Sequence, residues 1–318
     1  MPDTPPRWGI VTTVKTPLER VLEFAAYHLD LGAHRIIIYL DDDDAQTFET
    51  LNAHPKLRPV LAGPENWRSD NRPEKHQPRQ VANARHAYRR KSRDLDWLAH
   101  IDVDEFLLPD KDFAEQLQAL PQSATCARIR PIEALSKDGV TDIPPGVTCF
   151  KAMTNDRRQR QQESEAIYPT YGAQLNGGFL SHVEGKMVFR TRVKGLVPKI
   201  HNVKIDRDMN PGQVELTTTR LCHLHAPSWE DWQRAYRYRL EQGVYRSELK
   251  PNRSRETGGI TMHELFNFIE SDGGEAGLRR FFDEVCVATP ALRARLEKFG
   301  LLHCVALGLE EKRARHFP

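Results

Sequence analysis

The first sixty residues alternate between two hydrophobic periods, and this restricts the fold more than any other feature of the chain. Residues 7–14 (Arg-Trp-Gly-Ile-Val-Thr-Thr-Val) read as a buried strand. Pro17 then opens a helix in which Leu18, Val21, Leu22, Ala25, Ala26 and Leu29 follow the 3.6-residue repeat, with Gly32 where a helix ends. A strand over 35–40, a helix over 45–53 and a short strand at 59–61 follow. Such alternation predicts an α/β fold, with a mostly parallel central sheet flanked by helices.

Further along, a polar loop (63–79) leads to a basic helix (78–93). A strand at 97–101 runs into Asp102-Val103-Asp104-Glu105, followed by a short helix at 112–120 and a strand at 126–130. Residues 136–185 read as loop, with a mobile polar run at 155–163, before strands at 186–190 and 215–225. Ser228 reads as an N-cap with Glu230 and Asp231 in the first turn, and the chain after it is mostly helical, broken at Gly273-Gly274 and Pro290. The expected organisation is one principal domain over 1–240 with a helical C-terminal extension over 241–318 packed on it.

Forty-six Lys and Arg against 44 Asp and Glu leave a net charge of +2, which argues against nucleic acid as a partner. No apolar run approaches the ~20 residues of a membrane span, and the N-terminus lacks the marks of a secretory leader. The five cysteines (Cys126, Cys149, Cys222, Cys286 and Cys304) are odd in number and include no CxxC, so neither a zinc site nor a disulfide is expected. A cytoplasmic location is therefore expected. The basic stripe at 72–93 reads as a solvated face, or as a peripheral contact with the inner face of an anionic membrane.

The acidic run at the end of the 97–101 strand carries the chemistry. On a continuing strand Asp102 and Asp104 point to the same side. Ligands of open α/β sheets bind beyond the carboxyl ends of the strands. Oxygen ligands suit Mn²⁺ or Mg²⁺, which share their shell with substrate phosphates, so the reading is a nucleotide diphosphate held through a metal. A solvated turn is the plainer alternative, but apolar runs on both sides make uncompensated carboxylates costly. Asp41 and Asp42, ending the second strand, can accept hydrogen bonds from a base or ribose, or equally belong to a solvated turn capping the next helix. Thr12 and Thr13 can line a base pocket. Arg79 and Arg85 offer bidentate donors to a pyrophosphate. Glu184 is the candidate general base, with Glu163 and Glu165 as rivals, unless the nucleotide itself serves. Trp229 and Trp232 either stack on a sugar or pack.

Residues 99–107 (Ala-His-Ile-Asp-Val-Asp-Glu-Phe-Leu) resemble the DxDEF-type signature of family 2-like glycosyltransferases with the GT-A fold, to which family 92 enzymes are related. Four further blocks resemble that family in the same order: 23–32, 36–39, Arg79-Gln80 and 223–232. The resemblance implies a GT-A fold and a metal-dependent, hexosyltransferase-like enzyme of polysaccharide biosynthesis. It would move a sugar from a nucleotide-sugar, a UDP-sugar above all, to a glycan or lipid-linked hydroxyl. It also implies Asp104 as direct ligand, Asp102 on the ribose or a metal-bound water, and His223 completing the metal shell with His225 as its rival. Lys186 and His201 match a pair bordering the active site, toward the donor phosphate or the acceptor. The chain departs from the pattern at Lys15-Thr16, where Asn-Glu is usual, at Leu40, where an Asp is usual, and at Pro227, where a Lys is usual. A catalytically degenerate nucleotide-sugar-binding protein is the first alternative. A nucleotidyltransferase is the second, although Val14–Leu18 lacks the glycine-rich loop it needs.

Overall fold

The computed structural model describes residues 4–318. In chain order the elements are β1 (Trp8–Val14), α1 (Leu18–Asp30), β2 (Arg35–Leu40), α2 (Ala45–Asn52), β3 (Leu57–Leu61), α3 (His76–Arg90), β4 (Trp97–His100), β5 (Glu105–Pro109), α4 (Phe113–Gln118) and β6 (Cys126–Ala134). There follow β7 (Val147–Lys151), α5 (Arg157–Ile167), β8 (Lys186–Arg190), β9 (Leu196–Pro198), β10 (Val203–Ile205), β11 (Asp208–Met209) and β12 (Gln213–His223). The chain ends with α6 (Trp229–Glu241), α7 (Met262–Val285), α8 (Pro290–Lys298), β13 (Leu302–Ala306) and α9 (Leu309–His316). It forms two units, neither a single stretch. The first runs through Arg130 and resumes over Glu184–Leu221 and Gly308–Pro318, and the second comprises Pro131–Val183 and Cys222–Leu307. Among the described residues no helix is long and apolar enough to cross a membrane.

In the first unit β3, β2, β1 and β4 lie side by side in parallel, and β8 and then the start of β6 continue the sheet in antiparallel. The sheet is therefore mixed rather than mostly parallel. The sequence misleads here because β8 is buried nearly throughout, and a continuous apolar run looks the same in either direction. All seven residues of β1 are buried, as the central strand requires. Val11, Ile37, Tyr39, Leu98 and Phe189 share its core.

Helix α1 clamps β5. Tyr27 Oη donates to Leu107 O at 2.8 Å, and Leu107 N donates to His28 Nε2 at 3.3 Å. The other ring nitrogen of His28 lies 2.8 Å from Phe24 O, and the ring stacks on Phe106 at 5.9 Å. Burial lowers the His28 pKa to about 3, so the ring is neutral, with Nδ1 donating and Nε2 accepting.

In the second unit β7 pairs with β13 and with the end of β6. Cys149 and Cys304 face each other across the β7–β13 ladder and form a disulfide. That overturns the expectation that the cysteines form no disulfide. β13 escaped the sequence reading because it is only five residues long between helices. The polar run at 155–163 is not a loop but most of α5. Asp156 caps it by accepting Gln159 N at 2.8 Å, and Gln159–Glu163 and Gln161–Glu165 support it as i,i+4 pairs. Ser228 caps α6 as expected, and α7 kinks at Gly274 (φ +53°). Trp229 and Trp232 stack on each other at 5.3 Å and pack against Phe282.

A buried ion pair sits in this unit. Glu133 and Lys151 are cross-strand partners, with Oε1 and Nζ 3.2 Å apart. Leu180 N and Ser181 N donate to the carboxylate, and Lys151 donates to Val285 O. Burial is the largest influence and opposes both charges, but the partner's charge together with the surrounding hydrogen bonds and charges outweighs it, so the Glu133 pKa falls and the Lys151 pKa rises.

Candidate active site

The strand order β3-β2-β1-β4 places a topological switch between β1 and β4, because β2 follows β1 on one side and β4 lies on the other. In open sheets the ligand crevice opens at the carboxyl ends of such strands. Here those ends carry Thr12 and Thr13 on β1, Asp41 directly after β2 and Asp102 shortly after β4. One face of α3 reaches all three. Its residues His76, Arg79, Gln80 and Asn83 recur at helical spacing. Asn83 Nδ2 donates to Thr13 Oγ1 at 3.1 Å, Arg79 pairs with Asp41, and Gln80 Nε2 donates to Asp102 Oδ1 at 2.5 Å.

Asp41 is nearly enclosed. Arg79 donates from Nε to both its oxygens (2.9 and 3.0 Å) and from Nη2 to Oδ2 at 2.6 Å. Arg72 Nη2 adds a bond at 2.8 Å, and His76 Nδ1 lies at 3.4 Å. Burial works against the charge, yet the bonds from His76 and Arg79 outweigh it and bring the pKa down to about 2. The structure thus joins two residues read from the sequence as separate nucleotide contacts, and Arg79 also donates to Pro73 O and Glu74 O. Asp42 is exposed. Arg85 lies six residues beyond Arg79 on α3, about 120° away around the helix.

The strand before the acidic run ends at His100, and 102–105 is a turn closed by Glu105 N donating to Asp102 O at 3.1 Å. The expectation that alternation on a continuing strand aligns Asp102 and Asp104 therefore fails. Glu105, which sequence reasoning passed over, is fully buried and accepts Asp102 N at 2.7 Å. Lys186 Nζ meets Asp102 Oδ2 at 2.6 Å and Glu105 Oε2 at 3.4 Å. Burial opposes its charge, but Asp102 and then Glu105 raise its pKa above the usual lysine range, and Asp104 adds to this. The signal for Glu105 was its place between a turn and the buried Phe106-Leu107, where a carboxylate needs a partner.

Glu184, Lys186 and His201 come together locally. His201 Nδ1 lies 2.9 Å from Gly185 O. Arg128, also missed from sequence, donates Nη1 to Glu184 O and His201 O, and Nη2 to Asn202 and Gln213 side chains. An arginine within a strand that is buried almost throughout was the available sign. Gly185 (φ +75°) is required there, since a Cβ would stand 2.1 Å from Ile129 O. The Glu184 side chain is 60% exposed. Thr12 Oγ1 is buried with no hydrogen-bond partner. His223 and His225 belong to the second unit, where the His223 ring lies 5.4 Å from that of His182 and 5.2 Å from that of His225. Glu163, the rival base, lies buried on α5 and accepts from Gln159.

The donor set of the first unit fits a hard divalent cation. Three carboxylates, Asp102, Asp104 and Glu105, all act on the Lys186 ammonium. All are oxygen donors, as Mn²⁺ or Mg²⁺ prefers.

The model of glycosyltransferase family 92 matches residues 11–255. No curated protein matches the chain. Among solved structures the chain is similar to the crystal structure of HddC from Yersinia pseudotuberculosis, at 10% identity over 73% of this chain and 99% of that one. The TM-score of that likeness is 0.36. The family match covers most of the chain, so the protein belongs to glycosyltransferase family 92 and is a glycosyltransferase.

Proposed function

We propose that the chain moves a hexosyl group from a nucleotide-sugar, a UDP-sugar for preference, to a hydroxyl of a glycan or lipid-linked acceptor, with Mn²⁺ or Mg²⁺ held at Asp104 and Asp102. One observation supports this above the rest: the oxygen donors Asp102, Asp104 and Glu105 follow β4, at the strand ends where the sheet order reverses. The cation offsets charge on the departing nucleotide diphosphate when it is bound. Gln80 and Lys186 orient Asp102. The unpartnered Thr12 hydroxyl is an acceptor or donor for the nucleoside. Glu184, exposed two residues before Lys186, takes the proton of the acceptor hydroxyl.

The test is UDP or GDP release from a panel of nucleotide-sugars, with and without Mn²⁺. Asp104→Ala is expected to abolish release, and Glu184→Gln to slow transfer more than donor binding. A metal-independent rate that survives Asp104→Ala removes the mechanism. A second reading, a degenerate nucleotide-sugar-binding protein, draws on the commitment of Asp41 to Arg79 and Arg72. Tight UDP binding with no turnover across the panel would favour it.

A further inference from the structure

The second unit has an open hollow of about 310 Å³ between the start of α5 and segment 252–254. Its wall is Arg157, Arg158, Gln161, Asn252, Arg253 and Ser254, with no apolar side chain among them. The wall offers three guanidinium groups and neutral hydrogen-bonding groups beside them. The wall is built rather than merely adjacent. Arg157 Nη2 donates to Asn252 O at 2.9 Å, tying the segment to the helix, and Asn252 Nδ2 donates to Gln174 O at 3.4 Å. Arg253 Nε is held by Thr257 Oγ1 at 3.3 Å.

Local carboxylates offset this charge only in part, and Arg157 and Arg158 stand exposed at the start of α5. Asp156 caps α5 by accepting Gln159 N through Oδ1 and keeps its own charge there. Glu165 Oε1 accepts from Gln161 at 2.9 Å and lies 4.0 Å from Arg253. The volume is at the lower end of small-molecule sites, about the size of a sugar with one substituent. Arginine pairs bidentately with phosphate and carboxylate.

We infer that this hollow binds an anionic saccharide, a sugar bearing a phosphate or carboxylate group, and anchors such an acceptor. Its role as an acceptor rests on the proposed transferase activity, whereas the binding itself does not.

The test is calorimetric titration of the full chain with glucose 6-phosphate, glucuronate, glucose and inorganic phosphate, without nucleotide. Glucose 6-phosphate and glucuronate are expected to bind, and glucose not to. Arg158→Ala with Arg253→Ala should weaken the anionic sugars about tenfold or more with an unchanged melting temperature. If that pair fails to fold, Arg158→Gln alone, an exposed position, should still weaken them severalfold. Asp104→Ala should bind the anionic sugars normally even where it abolishes UDP release, which separates this inference from the donor-site reading. Four results overturn it: no binding by either anionic sugar, equal binding of glucose, inorganic phosphate binding as tightly as glucose 6-phosphate, or loss of binding in Asp104→Ala but not in the arginine variants.

Discussion

Lys186 reaches Asp102 at 2.6 Å while its own side chain is 1% exposed, so the acidic turn is organised around a cation from a different strand. The same ammonium lies 3.4 Å from the fully buried Glu105. Lys186→Met removes the buried ammonium from beside Asp102 and Glu105, which should cost about 3–5 kcal/mol. Urea unfolding of the variant measures this, and a loss below about 1 kcal/mol would contradict the role given to Lys186.

Asp41 makes stability sensitive to strong acid. Its pKa is about 2 in the fold against an ordinary 3.8, so its contribution is complete above the unfolded value and disappears as pH falls through the folded one. The amount is about 2 kcal/mol. Asp41→Asn should be less stable than the native chain at pH 6, and the gap should close between about pH 4 and 2. Parallel stability curves over that range would count against the Asp41–Arg79 pairing.

His28 acts in a milder range and by the opposite chemistry, because the fold holds it neutral. Its folded pKa of about 3 lies below the ordinary 6.5, so the unfolded chain binds the extra proton as pH falls from about 6.5. Stability should therefore drop by about 2 kcal/mol between pH 7 and pH 5. His28→Gln should lack that component, which denaturant titrations at the two pH values can read directly.

The Glu133–Lys151 pair predicts a non-additive result. Lys151→Met should destabilise by about 3–5 kcal/mol, since it strands a buried carboxylate. Adding Glu133→Leu should restore much of the loss instead of deepening it. Thermal melts of the two single variants and the double one decide the matter.

The opening elements were legible because hydrophobic period and punctuation agree there. Strand 35–40 has the expected limits, Pro17 stands directly before α1, and Gly32 takes φ +99° after it. Strand direction was not legible, because β8 is buried almost throughout and its apolar pattern carries no polarity. Helix α5 was hidden because its stability comes from a cap and polar i,i+4 pairs instead of an apolar stripe. At the candidate site the acidic run was visible as a motif. Its partners were not, since Gln80, Lys186 and Arg128 act across 22 to 85 residues of chain. Nothing local to Asp41 announces that Arg79, 38 residues on, will claim it.

Because a single face of α3 grips Thr13, Asp41 and Asp102, these three anchors share one mechanical fate. Inserting one residue between Gln80 and Asn83 would turn Asn83 by about 100° relative to Arg79 and Gln80 and break the registry of the grip. The pocket is thus keyed by helix phase, and length changes are tolerable in the preceding loop but not inside the first turns of that rod.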